Sequence, residues 1–174
     1  MNRRTLLKGL AAMVALPLLP AGLLAANKPA AAGKATVAAL NRPKAYWRGK
    51  VSPAAYDVLF EEGTERAGSS PLDKEKRDGT FACAACQLPL FDSKQKFDSG
   101  TGWPSFTRSI AGHTRSKRDF KLILPRNEYH CARCGGHQGH TFNDGPEPLG
   151  KRWCNNGVAL RFVPRNQPLP ALRG

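Results

Sequence analysis

The sequence predicts a mainly β, compact domain of small antiparallel sheets, with a short N-terminal helix and a structural zinc site. Three observations lead there. Short apolar or alternating runs recur at 81–83, 88–91, 120–124, 128–131, 140–142 and 153–163, separated by Gly, Pro and Asp, as strands joined by tight turns require. Helical spacing is confined to one brief segment, where Tyr56, Leu59 and Phe60 fall at i, i+3 and i+4. Two C-x-x-C pairs stand far apart in the chain. At 41% hydrophobic residues, a core of ordinary density is affordable.

In chain order, residues 1–32 read as an export signal. Arg3, Arg4 and Lys8 form a charged start, and an apolar run continues to Ala26. The paired arginines followed by Leu6 and Leu7 resemble a twin-arginine signal, which implies a periplasmic location. Pro17 and Pro20 break the run and argue against a stable spanning helix, although an uncleaved anchor is the alternative. Residues 33–48 are expected to be a flexible linker. The domain is expected over 49–165. Within it, Ser52 caps and Pro53 opens the helix, Gly63 ends it, and 64–80 is a polar loop. In 157–163, Val158, Leu160 and Phe162 share one side of a strand and Arg161 faces the other. Residues 166–174 are an irregular tail.

The formal charge is +14; five of those charges precede residue 35, where no acid occurs. The remainder is a basic surface that either attracts anionic partners or is simply solvated. No basic–aromatic repeat or nucleic-acid motif accompanies it, so no nucleic-acid partner is expected.

Five cysteines leave one unpaired. Cys83-Ala-Ala-Cys86 and Cys131-Ala-Arg-Cys134 are separated by 44 residues. Each pair can present two thiolates from a tight turn, and two turns complete the tetrahedral sulfur shell that one structural zinc ion prefers. Two alternatives stand beside this. The pairs form disulfides, or Cys131, Cys134, His137 and His140 form a Cys₂His₂ site and orphan the first pair.

The fifth thiol, Cys154, follows Lys151 and Arg152, and nearby cations lower a thiol pKa. Strand alternation would put Arg152, Cys154 and Asn156 on one surface, a cation, a thiol and an amide suited to attack on a polar substrate. A buried core cysteine is the bland alternative. His137 and His140 lie in a glycine-rich loop and can donate protons near neutral pH. Trp103 is either core or an apolar wall for a ligand.

These motifs together resemble the B-type methionine sulfoxide reductases. The resemblance runs from about Val51 to Val163. It is carried by 63–66 (GTER), Cys83-x-x-Cys86, 96–106 (KFDSGTGWPSF), Cys131-x-x-Cys134, 136–142 (GHQGHTF) and 152–156 (RWCNN). It implies a β-tent-like fold with zinc on the four paired cysteines and Cys154 as the catalytic thiol. It implies that Trp103 contacts the substrate methyl group. His137, His140 and Asn156 then bind or protonate the sulfoxide oxygen, and Arg152 supports the thiolate.

Where one common form of the family carries a resolving cysteine, this chain has Thr101. An external thiol or thioredoxin-like reductant is therefore expected to restore Cys154 from its sulfenic acid, without an internal disulfide. Trp153, Asn155 and Gln138 also depart from the usual residues and are expected to make the pocket rim more polar. The expected activity is reduction of the R-epimer of methionine sulfoxide in oxidised proteins or peptides, by a monomer not inserted in a membrane after processing. The competing readings are a non-enzymatic zinc-ribbon binding module and a thiol–disulfide oxidoreductase using a C-x-x-C pair.

Overall fold

The computed structural model describes residues 37–119 and 126–174. The expected export signal and the expected strand at 120–124 lie outside the described residues.

Helix α1 (Pro53–Glu61) begins as its sequence dictates: the Ser52 hydroxyl accepts from Ala55 N–H at 3.2 Å, and Pro53 takes the first position. It buries Ala55, Val58, Leu59 and Phe60, while Tyr56 is half-buried at the edge of the apolar face. The left-handed residue that ends it is Glu62 (φ 57°) rather than Gly63. Gly63 N–H donates to Asp57 O at 3.1 Å, and a Cβ on Gly63 would fall 2.2 Å from the Asp57 carboxylate.

Nine strands follow among the described residues: β1 (Gly79–Cys83), β2 (Pro89–Asp92), β3 (Lys96–Phe97), β4 (Ser105–Phe106), β5 (Thr114–Asp119), β6 (Arg126–Cys131), β7 (His137–Phe142), β8 (Arg152–Asn155) and β9 (Leu160–Pro164). They make a three-stranded sheet in the order β2-β1-β9 and a six-stranded sheet in the order β3-β4-β8-β7-β6-β5. Every pairing is antiparallel. Between the sheets lies one aromatic core. Phe91 stacks on Phe106 with centroids 4.2 Å apart, and Phe81 and Tyr129 meet that pair edge-on. All four are fully buried.

Two expectations change. The run 153–163 is not one strand: β8 and β9 belong to different sheets, and a 3₁₀ turn at Gly157–Ala159 separates them. Val158 therefore sits in the turn, out of the alternation expected with Leu160 and Phe162. The Glu65 carboxylate fixes this turn by accepting from Gly157 N–H at 2.5 Å and Val158 N–H at 3.0 Å.

Secondly, residues 37–48 of the expected linker are part of the domain. Leu40 N–H donates to Arg133 O at 2.6 Å. Trp47 is fully buried and stacks on Phe60 at 5.7 Å, a geometry that adds to its large apolar area. Val37, Leu40, Tyr46 and Trp47 follow neither period 2 nor period 3.6, so their packing leaves no periodic trace in the sequence. The tail after residue 165 forms no helix or strand, and its end is held: Arg173 N–H donates to Cys86 O at 3.0 Å and its guanidinium to Lys50 O at 3.1 Å.

Candidate active site and metal centre

Cys83 ends β1, Cys131 ends β6, and Cys86 and Cys134 follow in the turns. All four sulfurs lie within 4.8 Å of one another. Cys83–Cys134 and Cys86–Cys131 are 3.6 and 3.5 Å apart. That is far beyond the ~2.05 Å of a disulfide. It is close to the ~3.8 Å edge of a tetrahedron built on zinc–sulfur bonds of ~2.3 Å. The histidines stand elsewhere: His137 Nδ1 meets Glu128 at 2.9 Å and His140 Nε2 meets Asp119 at 2.9 Å. The donor set is thus four sulfurs.

The electrostatics also fit a dication. Hydrogen bonds from its cysteine neighbours, Cys131 first, hold Cys86 far below an ordinary thiol, while Cys83 and Cys134 are pushed far above it. Without a cation, only part of the cluster can ionise. Gln138 Nε2–H donates to Cys83 Sγ at 3.5 Å. These residues would hold one structural zinc ion, with no position left open for a substrate.

The fifth sulfur is at the centre of the six-stranded sheet. Ser105, Cys154, His140, Glu128 and Lys117 are directly opposite one another across β4, β8, β7, β6 and β5, so their side chains share a face. The next row on that face holds Arg152, Phe142, Arg126 and Asp119. A cleft of about 230 Å³ opens there, lined by Trp103, Arg126, His140, Phe142, Cys154 and Asn156, with Thr64, Gly139 and Asn155 completing it.

The sequence predicts a thiol activated by Arg152. The structure keeps Arg152 near Cys154, but burial outweighs the cation: desolvation raises the Cys154 pKa above the ordinary 9.0. Arg152 opposes that shift by charge and hydrogen bond, Asp144 adds to it, and the Thr101 hydroxyl opposes it. Arg152 is held by a two-pronged bond to Asp144 (2.9 and 2.8 Å) and lies 4.4 Å over the Phe142 ring. Part of its charge is therefore already spent on a carboxylate.

His140, opposite Cys154, is neutral over a wider range than usual. Burial lowers its pKa against the pull of Asp119, and Arg126 and His137 push it down further. Its Nε2–H donates to Asp119, which also pairs with Arg126 at 2.9 Å.

Trp103 forms one wall of the cleft, with its indole N–H donating to Glu65 O at 3.2 Å. Asn156 lies past β8 rather than on it. Its side-chain oxygen accepts from Glu65 N–H at 3.0 Å, and its amide donates to Gln138 O at 3.0 Å. It reaches the cleft wall chiefly as a brace. His137 stands apart from the cleft, behind His140, with ring centroids 5.4 Å apart. The β6–β7 register slips between Tyr129 and His130, and this turns the His137 side chain toward Glu128.

Gln138 and Asn155, expected at a polar rim, are fully buried. They link to each other at 3.4 Å, and Tyr129 O–H donates to Asn155 Oδ1 at 2.7 Å. Trp153 packs edge-on against Tyr129 at 4.7 Å. Sequence reasoning assigned no role to Glu65, Asp119, Arg126, Phe142 or Asp144. Glu65 and Phe142 carried a signal, as part of the 63–66 and 136–142 segments.

Residues 51–164 match the SelR domain family. The chain is 44% identical over 138 residues to the peptide methionine sulfoxide reductase MsrB of Bradyrhizobium diazoefficiens, covering 79% of this chain and 99% of that protein. It is 48% identical over 121 residues to MsrB of Pseudomonas entomophila, covering 69% and 92%. It is 45% identical over 117 residues to the chloroplastic peptide methionine sulfoxide reductase B1 of Arabidopsis thaliana, covering 67% of this chain and 58% of that protein.

The balance at Cys154 makes a signed prediction. Its alkylation rate should rise with pH through a midpoint above that of an unperturbed thiol. Arg152→Gln should move the midpoint up and Asp144→Asn should move it down. A midpoint in Arg152→Gln equal to or below the parent's contradicts the assignment.

Proposed function

The chain belongs to the MsrB, or SelR-domain, family of peptide methionine sulfoxide reductases, and from that membership we propose how its own residues reduce protein-bound methionine-R-sulfoxide to methionine. One observation carries the reading: a single half-buried thiol faces a neutral imidazole across two paired strands, in a cleft with an indole wall, while the other four sulfurs are gathered in a metal-binding set.

The sulfoxide's methyl group lies against Trp103, and its oxygen points toward His140 and Arg126. Cys154 enters as a thiol, because burial holds its proton on. Neutral His140 takes that proton as the sulfur attacks the sulfoxide sulfur, then passes it to the departing oxygen. The substrate's sulfur–oxygen bond and the transient bond between the two sulfurs break as the oxygen passes to Cys154, where a sulfur–oxygen bond forms. The thiol and sulfoxide thus become a Cys154 sulfenic acid and a thioether, with the proton conserved. His140, kept neutral by burial and oriented by Asp119, suits this transfer better than a permanently charged group would. His137 holds the His140 ring from behind, Arg152 steadies the developing thiolate, and Asn156 fixes the chain that carries Cys154.

The remaining cysteines are the candidate zinc ligands, and the neighbouring loop offers Thr101, a hydroxyl. The sulfenic acid is therefore restored by two equivalents of an external thiol, or by a thioredoxin-like dithiol, releasing water. A C-x-x-C oxidoreductase reading is disfavoured by burial, since Cys83, Cys86 and Cys131 are fully buried. The protein acts as a monomer on oxidised proteins or peptides and does not use nucleic acid.

Export to the periplasm through a twin-arginine route rests on Arg3, Arg4 and the apolar run that follows. No helix among the described residues is long and apolar enough to cross a membrane. A reporter fused to residues 1–32 should reach the periplasm, and Arg3→Lys with Arg4→Lys should retain it inside. Equal export of both forms removes the proposal.

The activity is tested with separated R and S epimers of a sulfoxide peptide and a dithiol reductant. The parent should consume only the R-epimer, Cys154→Ser should lose at least about a thousandfold in turnover, as removal of a covalent nucleophile requires, and no internal disulfide should form in substrate-treated protein. Full turnover by Cys154→Ser contradicts the reading.

A further inference from the structure

The backbone and the ring of Trp103 are held in two independent ways. The backbone follows the sheet: Asn155 N–H donates to Pro104 O at 2.9 Å, and Ser105 is paired with Cys154 across β4 and β8. The ring is tied elsewhere, through its N–H to Glu65 O at 3.2 Å. An indole offers one donor and no acceptor, so this bond is its whole polar hold.

Glu65 is in turn clamped to the chain that leaves Cys154. Its N–H donates to Asn156 Oδ1 at 3.0 Å. Its two carboxylate oxygens accept one bond each, from Gly157 N–H at 2.5 Å and Val158 N–H at 3.0 Å. The fit is close: a Cβ on Gly157 would fall 2.0 Å from Ser70 Oγ and 3.3 Å from Glu65 Oε1. The segment after Glu65 lies equally close to the loop before Trp103. Gly68 N–H donates to Gly102 O at 2.7 Å, and a Cβ on Gly102 would fall 2.7 Å from Gly68 N.

We propose that Glu65 is a positioning residue that sets the angle of the Trp103 wall relative to Cys154, and through it the preference of the cleft for a methyl over a larger alkyl group on the sulfoxide. This role presupposes that Trp103 receives the substrate's methyl group, and so rests on the proposed reductase reading. Glu65 does not itself line the cleft. It acts by joining the indole and residues 156–158 to one point. An apolar wall discriminates by fit, and one methylene is worth roughly 10- to 200-fold in kcat/KM. A ring free to turn yields to the larger group and forfeits part of that factor.

The pairing that carries the Trp103 backbone does not pass through Glu65, so loosening Glu65 leaves β4 beside β8. The Cys154 thiol answers chiefly to burial and Arg152, which Glu65 does not touch. The effect on the wall can therefore be read apart from the fold and the nucleophile.

Glu65→Gln keeps the size of the side chain but turns an amide donor toward a backbone N–H, so one bond to the turn is lost; Glu65→Ala loses both. With R-sulfoxide peptides carrying methyl or ethyl on sulfur, the methyl-to-ethyl ratio of kcat/KM should fall at least about threefold in Glu65→Gln and further in Glu65→Ala. Metal content and the Cys154 alkylation profile should stay the parent's. In Trp103→Phe, which has no N–H to tie, adding Glu65→Gln should leave the ratio unchanged. Trp103 emission, taken as the difference between each protein and its Trp103→Phe counterpart, should be quenched more readily by acrylamide in Glu65→Gln. An unchanged ratio, unchanged quenching, a shifted alkylation midpoint, or an equal fall in ratio with and without the indole overturns the proposal. A parent that turns over no sulfoxide defeats the reductase reading instead, and the quenching then still decides whether Glu65 holds the ring.

Discussion

The structure depends on four sulfurs that cannot all carry charge unless a cation sits among them. Cys83 closes a strand of the smaller sheet and Cys131 closes a strand of the larger, so one ion would tie the two sheets together. A structural zinc on such ligands is worth ~10–16 kcal/mol at neutral pH, as much as the ~5–15 kcal/mol by which a whole domain is stable. With nine short strands and one short α-helix among its described residues, the domain has few local contacts to fall back on. The tie also reaches the chemistry. Gln138 donates to Cys83, its carbonyl accepts from Asn156, and its side chain meets Asn155. The residues on either side of that contact are thus coupled: metal knuckle on one, catalytic strand on the other.

At Cys154 two effects compete, and burial prevails over the Arg152 charge. This is less paradoxical than it first reads. A permanently ionised thiol would need a separate proton source for the departing oxygen, whereas a thiol brings its own. In the proposed reaction the transfer falls to His140, whose pKa is lowered by burial and whose ring is held by Asp119. Glu65 organises this geometry from outside the cleft, gripping the turn after β8, the Trp103 indole and Asn156 at once.

Much of this was legible in the sequence, for identifiable reasons. Cysteine spacing reports metal ligation directly, so Cys83, Cys86, Cys131 and Cys134 could be read without a fold. Ser52-Pro53 announces a helix start because capping is local. What stayed hidden depends on register and on distant partners. Strand β5 reads Thr-Arg-Ser-Lys-Arg-Asp, with no apolar alternation, because its residues are mostly solvent-facing. Strands β3 and β4 are two residues each, below any periodic signal. The split between β8 and β9 is imposed by Glu65, some ninety residues away. The slip between β6 and β7 moves His137 behind His140, and no local pattern encodes it. Gln138 and Asn155 look like surface residues in composition and are buried because each is hydrogen-bonded on several sides.

The central claim is that a metal sequesters four thiols and leaves one for chemistry. Titrating the purified protein with a disulfide reagent at alkaline pH, before and after a strong chelator, measures this directly. One thiol per chain should react before chelation, Cys154 by mapping, and five afterwards as the metal-free domain opens. Five rapidly reacting thiols in the untreated protein, or a count that chelation leaves unchanged, would contradict the account.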